Sequence, residues 1–247
     1  MAVEEPSRPP RRLTARGAAT RERILSVASD LMYVQGVGGT SLDDVIEASG
    51  TGKSQLYHYF SDKDALVGEV VDTQIERVLT DQEPHLRRLD SFRGLERWRD
   101  AVVAGNRARR GAHGCPLGSL ASELADQSET ARQALVRGFE RWQSFFRVGL
   151  ERMRDKGDLD PAADPIALAV GLLSALQGGL LLSQATRDPR NLEVALDMAL
   201  GQVRSHLTSD LAPRARGAAA RSDPPRAGTG CADGSGASPG RSRGTIV

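Results

Sequence analysis

Apolar residues recur at helical spacing through most of this chain, and no segment alternates apolar with polar residues as a half-buried strand would. The pattern predicts an all-α protein. Ile24, Leu25, Ala28, Leu31 and Met32 share one face of a first helix that Thr20 is placed to cap, and the run Gly36-Val37-Gly38-Gly39 ends it. Ser41 opens a second helix, with Asp44 three residues on completing a capping box and Asp43 and Asp44 suiting its positive end. Val45, Ile46 and Ala48 form its apolar side, and Ser49-Gly50 breaks it. A third short helix is expected from Lys53 to Tyr59, then a longer one capped by Ser61 or Asp62. Beyond Pro84 the spacing predicts helices over 91–109, 117–126, 128–156, 161–186 and 191–207. No repeat of fixed period interrupts them.

Both ends differ in composition from the middle. Residues 1–19 are rich in Pro, Arg and Ala without apolar periodicity, and read as a disordered, mildly basic arm. Residues 211–247, dominated by Pro, Gly, Ala, Ser and Arg, read as a disordered tail. Between them the expected division is a small domain over 20–66 and a larger helical one over 67–210. The net charge is +1, so bulk charge names no partner and any nucleic-acid surface must be local. Cys115 and Cys231 are too few for a disulfide framework and are expected to be reduced, in a cytoplasmic protein. The N-terminus has no apolar stretch of a secretory signal. The most apolar run, Ile166 to Leu182, is interrupted by Gly171, Ser174, Gln177, Gly178 and Gly179, and reads as a buried helix rather than a membrane span.

The stretch Ser49–Phe60, SGTGKSQLYHYF, admits two readings. A phosphate-binding loop needs a glycine five residues before Gly52 and a strand before that, but position 47 is Glu47 and the preceding DDVIEA is helical. The other reading is a helix-turn-helix, whose second helix enters the major groove of DNA. Leu56 and Phe60, at i and i+4, then face inward, and Lys53, Ser54, Gln55, Tyr57, His58 and Tyr59 face out. A protein-binding aromatic patch is the alternative. Lysine and tyrosine hydroxyls on one short helix suit phosphate contacts, although acidic and basic residues balance over residues 1–63.

The run from Thr20 to Val71 resembles the DNA-binding domain of the TetR family of bacterial repressors, most specifically in Leu-Tyr-His-Tyr-Phe-x-x-Lys-x-x-Leu and the Thr-Ser start of the second helix. The resemblance implies nine or so helices: three for DNA, and six or so for ligand binding and dimerisation. By position it implies a phosphate contact at Ser41 and base reading by Lys53, Ser54 and Gln55. It implies backbone contacts at Tyr57 and Tyr59, either role at His58, and a phosphate held by Lys63. Where the family has a pair such as Val-Ser before the recognition helix, this chain has Thr51-Gly52, which leaves that helix's start less firmly capped.

The resemblance also implies a homodimer on a palindromic operator, joined by a four-helix bundle of the last two helices of each subunit. Ile166, Val170, Leu173, Leu180, Leu196 and Leu200 are the candidates for that face; subunit core is the alternative, and the two roles can coexist. A small lipophilic effector is expected among the middle helices, against Trp98, Trp142, Phe145 and Phe146, with Leu117 and the polar His113 and Gln177 nearby. The segment Gly-Cys-Pro-Leu-Gly and the later Gln-Gly-Gly-Leu-Leu-Leu-Ser-Gln-Ala-Thr-Arg-Asp resemble the LmrA/YxaF-like branch, whose members resemble repressors of drug-export or detoxification genes. Cys115 is either a thiol sensor, if a neighbour lowers its pKa, or a small residue in a tight turn. The four histidines make no metal spacing and no catalytic arrangement stands out, so no cofactor, metal or enzymatic activity is expected. An activator, or a helical ligand-binding or scaffold protein whose DNA head is idle, are the alternative functions.

Overall fold

Thr14, not Thr20, caps the first helix. In the computed structural model, which describes residues 14–208, the Thr14 hydroxyl accepts from the Gly17 amide at 3.2 Å, and Thr20 lies within the helix, its hydroxyl donating back to Arg16 O at 3.0 Å. Residues 15–19 therefore belong to a helix rather than to an arm. The rest of that arm, the tail from residue 211 and Cys231 lie outside the described residues.

Nine helices follow one another among the described residues: α1 (Ala15–Gln35), α2 (Leu42–Ser49), α3 (Lys53–Tyr59), α4 (Lys63–Leu86), α5 (Phe92–Ala108), α6 (Pro116–Leu124), α7 (Glu129–Asp155), α8 (Pro165–Thr186) and α9 (Arg190–Ser205). Local chemistry sets most boundaries. The capping box of α2 is complete: Ser41 Oγ accepts from Asp44 N at 3.1 Å, and Asp44 Oδ2 accepts from both the amide and the hydroxyl of Ser41 at 2.7 Å. These Ser41 bonds hold the Asp44 carboxyl below the usual carboxylate range. Ser41→Ala should cost about 1 kcal/mol of stability, read as a lowered urea midpoint at unchanged slope.

Other ends depart from the sequence expectation for identifiable reasons. α4 continues through Pro84 to Leu86, because a proline near a helix C-terminus forfeits only one bond of the ladder. α8 starts at Pro165 rather than residue 161. Asp164 caps it through Ile166 N at 2.9 Å and Ala167 N at 3.3 Å, while residues 161–164 form a turn. α9 stops at Ser205, and Leu207 instead forms an isolated antiparallel bridge with Leu159. That bridge ties the end of α9 to the loop before α8.

α1, α2 and α3 pack on one another, α1 lies against α4, and α4 carries the apolar core onward into α7. α8 packs against α7 on one side and α9 on another. The α8–α9 crossing depends on Gly179, where a Cβ would stand 2.8 Å from Leu192 Cα. With a mean hydropathy of 1.9, α8 is the one helix among the described residues long and apolar enough to cross a membrane. Here it buries Leu168, Ala169, Leu172, Leu173, Leu176 and Leu180 within the subunit.

Candidate nucleic-acid interface and ligand chamber

The turn from Ser49 to Gly52 aims α3. Gly50 adopts the left-handed conformation (φ 62°), which ends α2 at no steric cost. The hydroxyls of Ser49 and Thr51 bond each other at 2.8 Å in a buried pair, and Arg23 Nε of α1 donates to Ser49 O at 3.0 Å. Gly52 has no side chain to cap α3, so only the reciprocal half of a capping box forms, Gln55 Oε1 accepting from Gly52 N at 3.2 Å. Leu56 and Phe60 are buried and anchor the helix. Lys53, Ser54, Gln55, Tyr57 and His58 are exposed along its outer side; Tyr59 is half-buried against the core, its ring 5.0 Å from that of His58. The groove-facing positions expected from sequence thus share one exposed face, Tyr59 excepted.

Two of the expected phosphate contacts are already engaged within the protein. The Ser41 hydroxyl is held by Asp44, as above. Lys63 Nζ donates to Val37 O at 2.7 Å, so it braces the α1–α2 turn instead of standing free. The same turn is gripped from the other side. Glu123, near the end of α6, accepts from Val37 N at 2.7 Å and Gly38 N at 3.3 Å.

A chamber of about 600 Å³ lies among α1, α4, α5, the 109–116 loop, α7 and α8. Trp98, Trp142 and Cys115, expected at a ligand site, line it. The other candidates do not. Phe146 is fully buried behind Trp98, edge-on at 4.7 Å, and Leu117 is core. Phe145 turns to another side of α7, where it lines a cleft with Leu86 and Leu89. His113 is exposed in a left-handed conformation (φ 68°), its ring 5.7 Å from that of Tyr33. Gln177 packs against Gly118 of α6 rather than against the chamber. Burial pushes the Cys115 thiol up, away from the thiolate that a reactive sensor needs.

Sequence reasoning missed the walls that α1 and α4 supply: Asp30, Tyr33, Gln74, Arg77 and Gln82. One signal was available. Gln74 interrupts the apolar stripe Val70, Val71, Ile75, Val78 of α4; it is buried, and its amide donates to Ser29 O of α1 at 2.9 Å. Asp30 and Arg77 pair at 2.8 Å beside it. The chamber therefore shares walls with the helices that carry the α2–α3 unit. Among the described residues, no three His, Cys, Asp or Glu side chains converge as a metal site would require.

The candidate dimer face needs correction. Leu173, Leu180, Leu196 and Leu200 are buried inside the subunit, between α8, α9 and their neighbours, and Leu180 lines the chamber. Ile166 and Val170 are exposed, together with Leu181, Leu182, Val194 and Met198, which the sequence reading passed over. α8 contains no charged residue, and Ala167, Gly171, Ser174 and Gly178 lie exposed between the large side chains.

A short exposed helix set by a tight turn on a three-helix unit, joined to a larger helical body with a half-open cavity, defines a helix-turn-helix regulator. Residues 24–70 match the bacterial regulatory proteins of the tetR family, and residues 86–199 match the tetracyclin repressor-like C-terminal domain. The chain is 30% identical over 206 residues to an uncharacterized HTH-type transcriptional regulator of Mycobacterium tuberculosis, covering 79% of this chain and 98% of that one. It is 28% identical over 171 residues to the HTH-type transcriptional regulator LmrA of Bacillus subtilis, covering 68% and 88%. The crystal structure of reduced NemR from Escherichia coli superimposes with a TM-score of 0.62 at 22% identity, covering 77% of this chain and 97% of that chain. This chain belongs to the TetR family of transcriptional regulators.

Proposed function

We propose that the protein is a dimeric repressor whose affinity for a palindromic operator falls when a small lipophilic molecule fills the chamber. Residues 20–66 act as the DNA head, extended back to Ala15 by α1, and residues 67–210 as the effector and dimer domain. The observation that carries this reading is the composition of the chamber wall. Asp30 and Tyr33 of α1 face the same space as Trp98 and Trp142 of the body, so a ligand there touches the head's own first helix. A ligand that binds one setting of α1 and α4 more tightly shifts the population of head spacings, which is allosteric coupling between two distinct sites. NemR of Escherichia coli, 27% identical over 185 residues, is named a transcriptional repressor and lends support to that sign of regulation. Export or detoxification genes are the proposed targets, on the strength of the 111–118 and 177–188 segments.

On the operator, Lys53, Ser54 and Gln55 meet base edges, with Tyr57 and His58 on the backbone. Lys53→Ala tests this by fluorescence anisotropy on the DNA upstream of the protein's own gene. The variant is expected to bind about tenfold more weakly, with the salt dependence of log K reduced by about one ion. Unchanged affinity and salt slope would remove α3 as the groove element.

A further inference from the structure

Of Lys53, Ser54 and Gln55, one is already committed within the protein. Gln55 Oε1 accepts the amide of Gly52 at 3.2 Å. Chemistry fixes which end of the side-chain amide makes this bond: Gly52 N–H is a donor, so only the oxygen can face it. Gly52 brings no side chain to the start of α3, and a Cβ built there would meet nothing within 4 Å. Its φ of −80° is open to any residue, so neither packing within the subunit nor the backbone demands a glycine. With the N-cap bare, Gln55 is the one side chain among the described residues that caps α3.

The bond divides the amide of Gln55. Its oxygen, the only acceptor of the side chain, is turned back onto the backbone. Its nitrogen carries two N–H groups, has no partner among the described residues, and belongs to an exposed side chain. A free glutamine reads adenine by presenting oxygen and nitrogen side by side to N6–H and N7. Here that would break the bond to Gly52 and leave its amide uncapped. What Gln55 can offer without that loss is a donor. In the major groove guanine sets two acceptors, N7 and O6, next to each other. Adenine places a donor beside its N7, thymine has one acceptor beside a methyl, and cytosine has only a donor.

We propose that Gln55 is a specificity-determining residue that reads guanine and rejects adenine, because its oxygen stays on Gly52 in the complex and only its N–H groups meet the base. The inference rests on α3 being the groove element of the proposed function. Lys53, a donor without an acceptor, adds a second contact of the same kind on a different base pair.

Selection by the full-length protein from a randomised double-stranded DNA pool, repeated with Gln55→Ala, Gln55→Glu and Lys53→Ala, tests the proposal apart from the reading beneath it. Gln55→Ala should flatten one position of each half-site, and in the parent that position should be guanine. Replacing this guanine by adenine in one half-site should weaken the parent about tenfold and the alanine variant by less than about twofold. Gln55→Glu keeps an oxygen for Gly52 N–H and loses the donor. Its melting temperature should stay within a few degrees of the parent, while guanine is no longer preferred at that position. The position whose preference differs between parent and glutamate variant serves equally if Gln55→Ala fails to fold. Adenine, or any base other than guanine, at that position in the parent overturns the proposal. So does a glutamate variant that still selects guanine, or a Gln55→Ala variant that selects the parent site while Lys53→Ala does not. The α3 reading survives each of these. If neither Gln55→Ala nor Lys53→Ala alters the selected site or its affinity, or if the pool yields no enriched sequence, the α3 reading falls and the proposal with it.

Discussion

Met198→Glu is expected to convert the protein to a monomer and to weaken operator binding on the order of 10²–10⁴-fold, the advantage of engaging two half-sites together. Met198 is 73% exposed in the single subunit, so a carboxylate there costs the subunit's own core almost nothing. In a two-fold dimer built on α8 and α9 the same surface meets itself, and every substitution is present twice. Two carboxylates would be buried against Val194, Leu181 and their symmetry mates with no cation on α8 to pair them. Sedimentation velocity reads the change in mass, and anisotropy on operator DNA reads the lost affinity. A Met198→Glu protein that remains dimeric at micromolar concentration would rule this face out as the interface.

Glu123→Ala is the second large effect. Glu123 Oε2 takes the amides of Val37 and Gly38, while Lys63 Nζ holds the Val37 carbonyl, so the α1–α2 turn is clasped from both sides. α6 connects this clasp to the chamber: Cys115 and Pro116 at its start line the cavity, and Glu123 lies in its last turn. A hydrogen bond to a charged acceptor contributes about 1.5–3 kcal/mol, so amide exchange at Val37 should accelerate by on the order of 10–150-fold in the variant. α7 and α9 amides should keep their protection. A ligand that lowers operator affinity in the parent should lower it less in the variant, because the head would no longer be held to α6. Unchanged exchange at Val37 would show that the turn is rigid without the clasp.

How much of this was legible in the sequence depended on how local its cause is. The Ser41–Asp44 box, the Asp62 cap and the inward pair Leu56 and Phe60 act within four residues, and the structure agrees with each. Thr20 was misread as a cap because Thr14 also starts a permissible helix, and the extra turns carry alanines that neither oppose nor demand it. The face of α8 was misassigned for a different reason. A helix that is apolar all round has no phase, so its leucines do not say which side meets α7 and α9 and which remains exposed.

The amino-acid sequence by itself determined the all-α class, the order of its helices, the family and the outward face of α3, because caps, turn glycines and 3.6-residue periodicity all act over a few residues. Only the tertiary structure decided that Lys63 braces a turn, that Glu123 reaches a backbone 86 positions away, and that Leu180 faces a chamber and not a partner. Those outcomes depend on how helices cross and which side chains then meet, and a crossing is set by the packing of whole faces against one another. No local spacing encodes it.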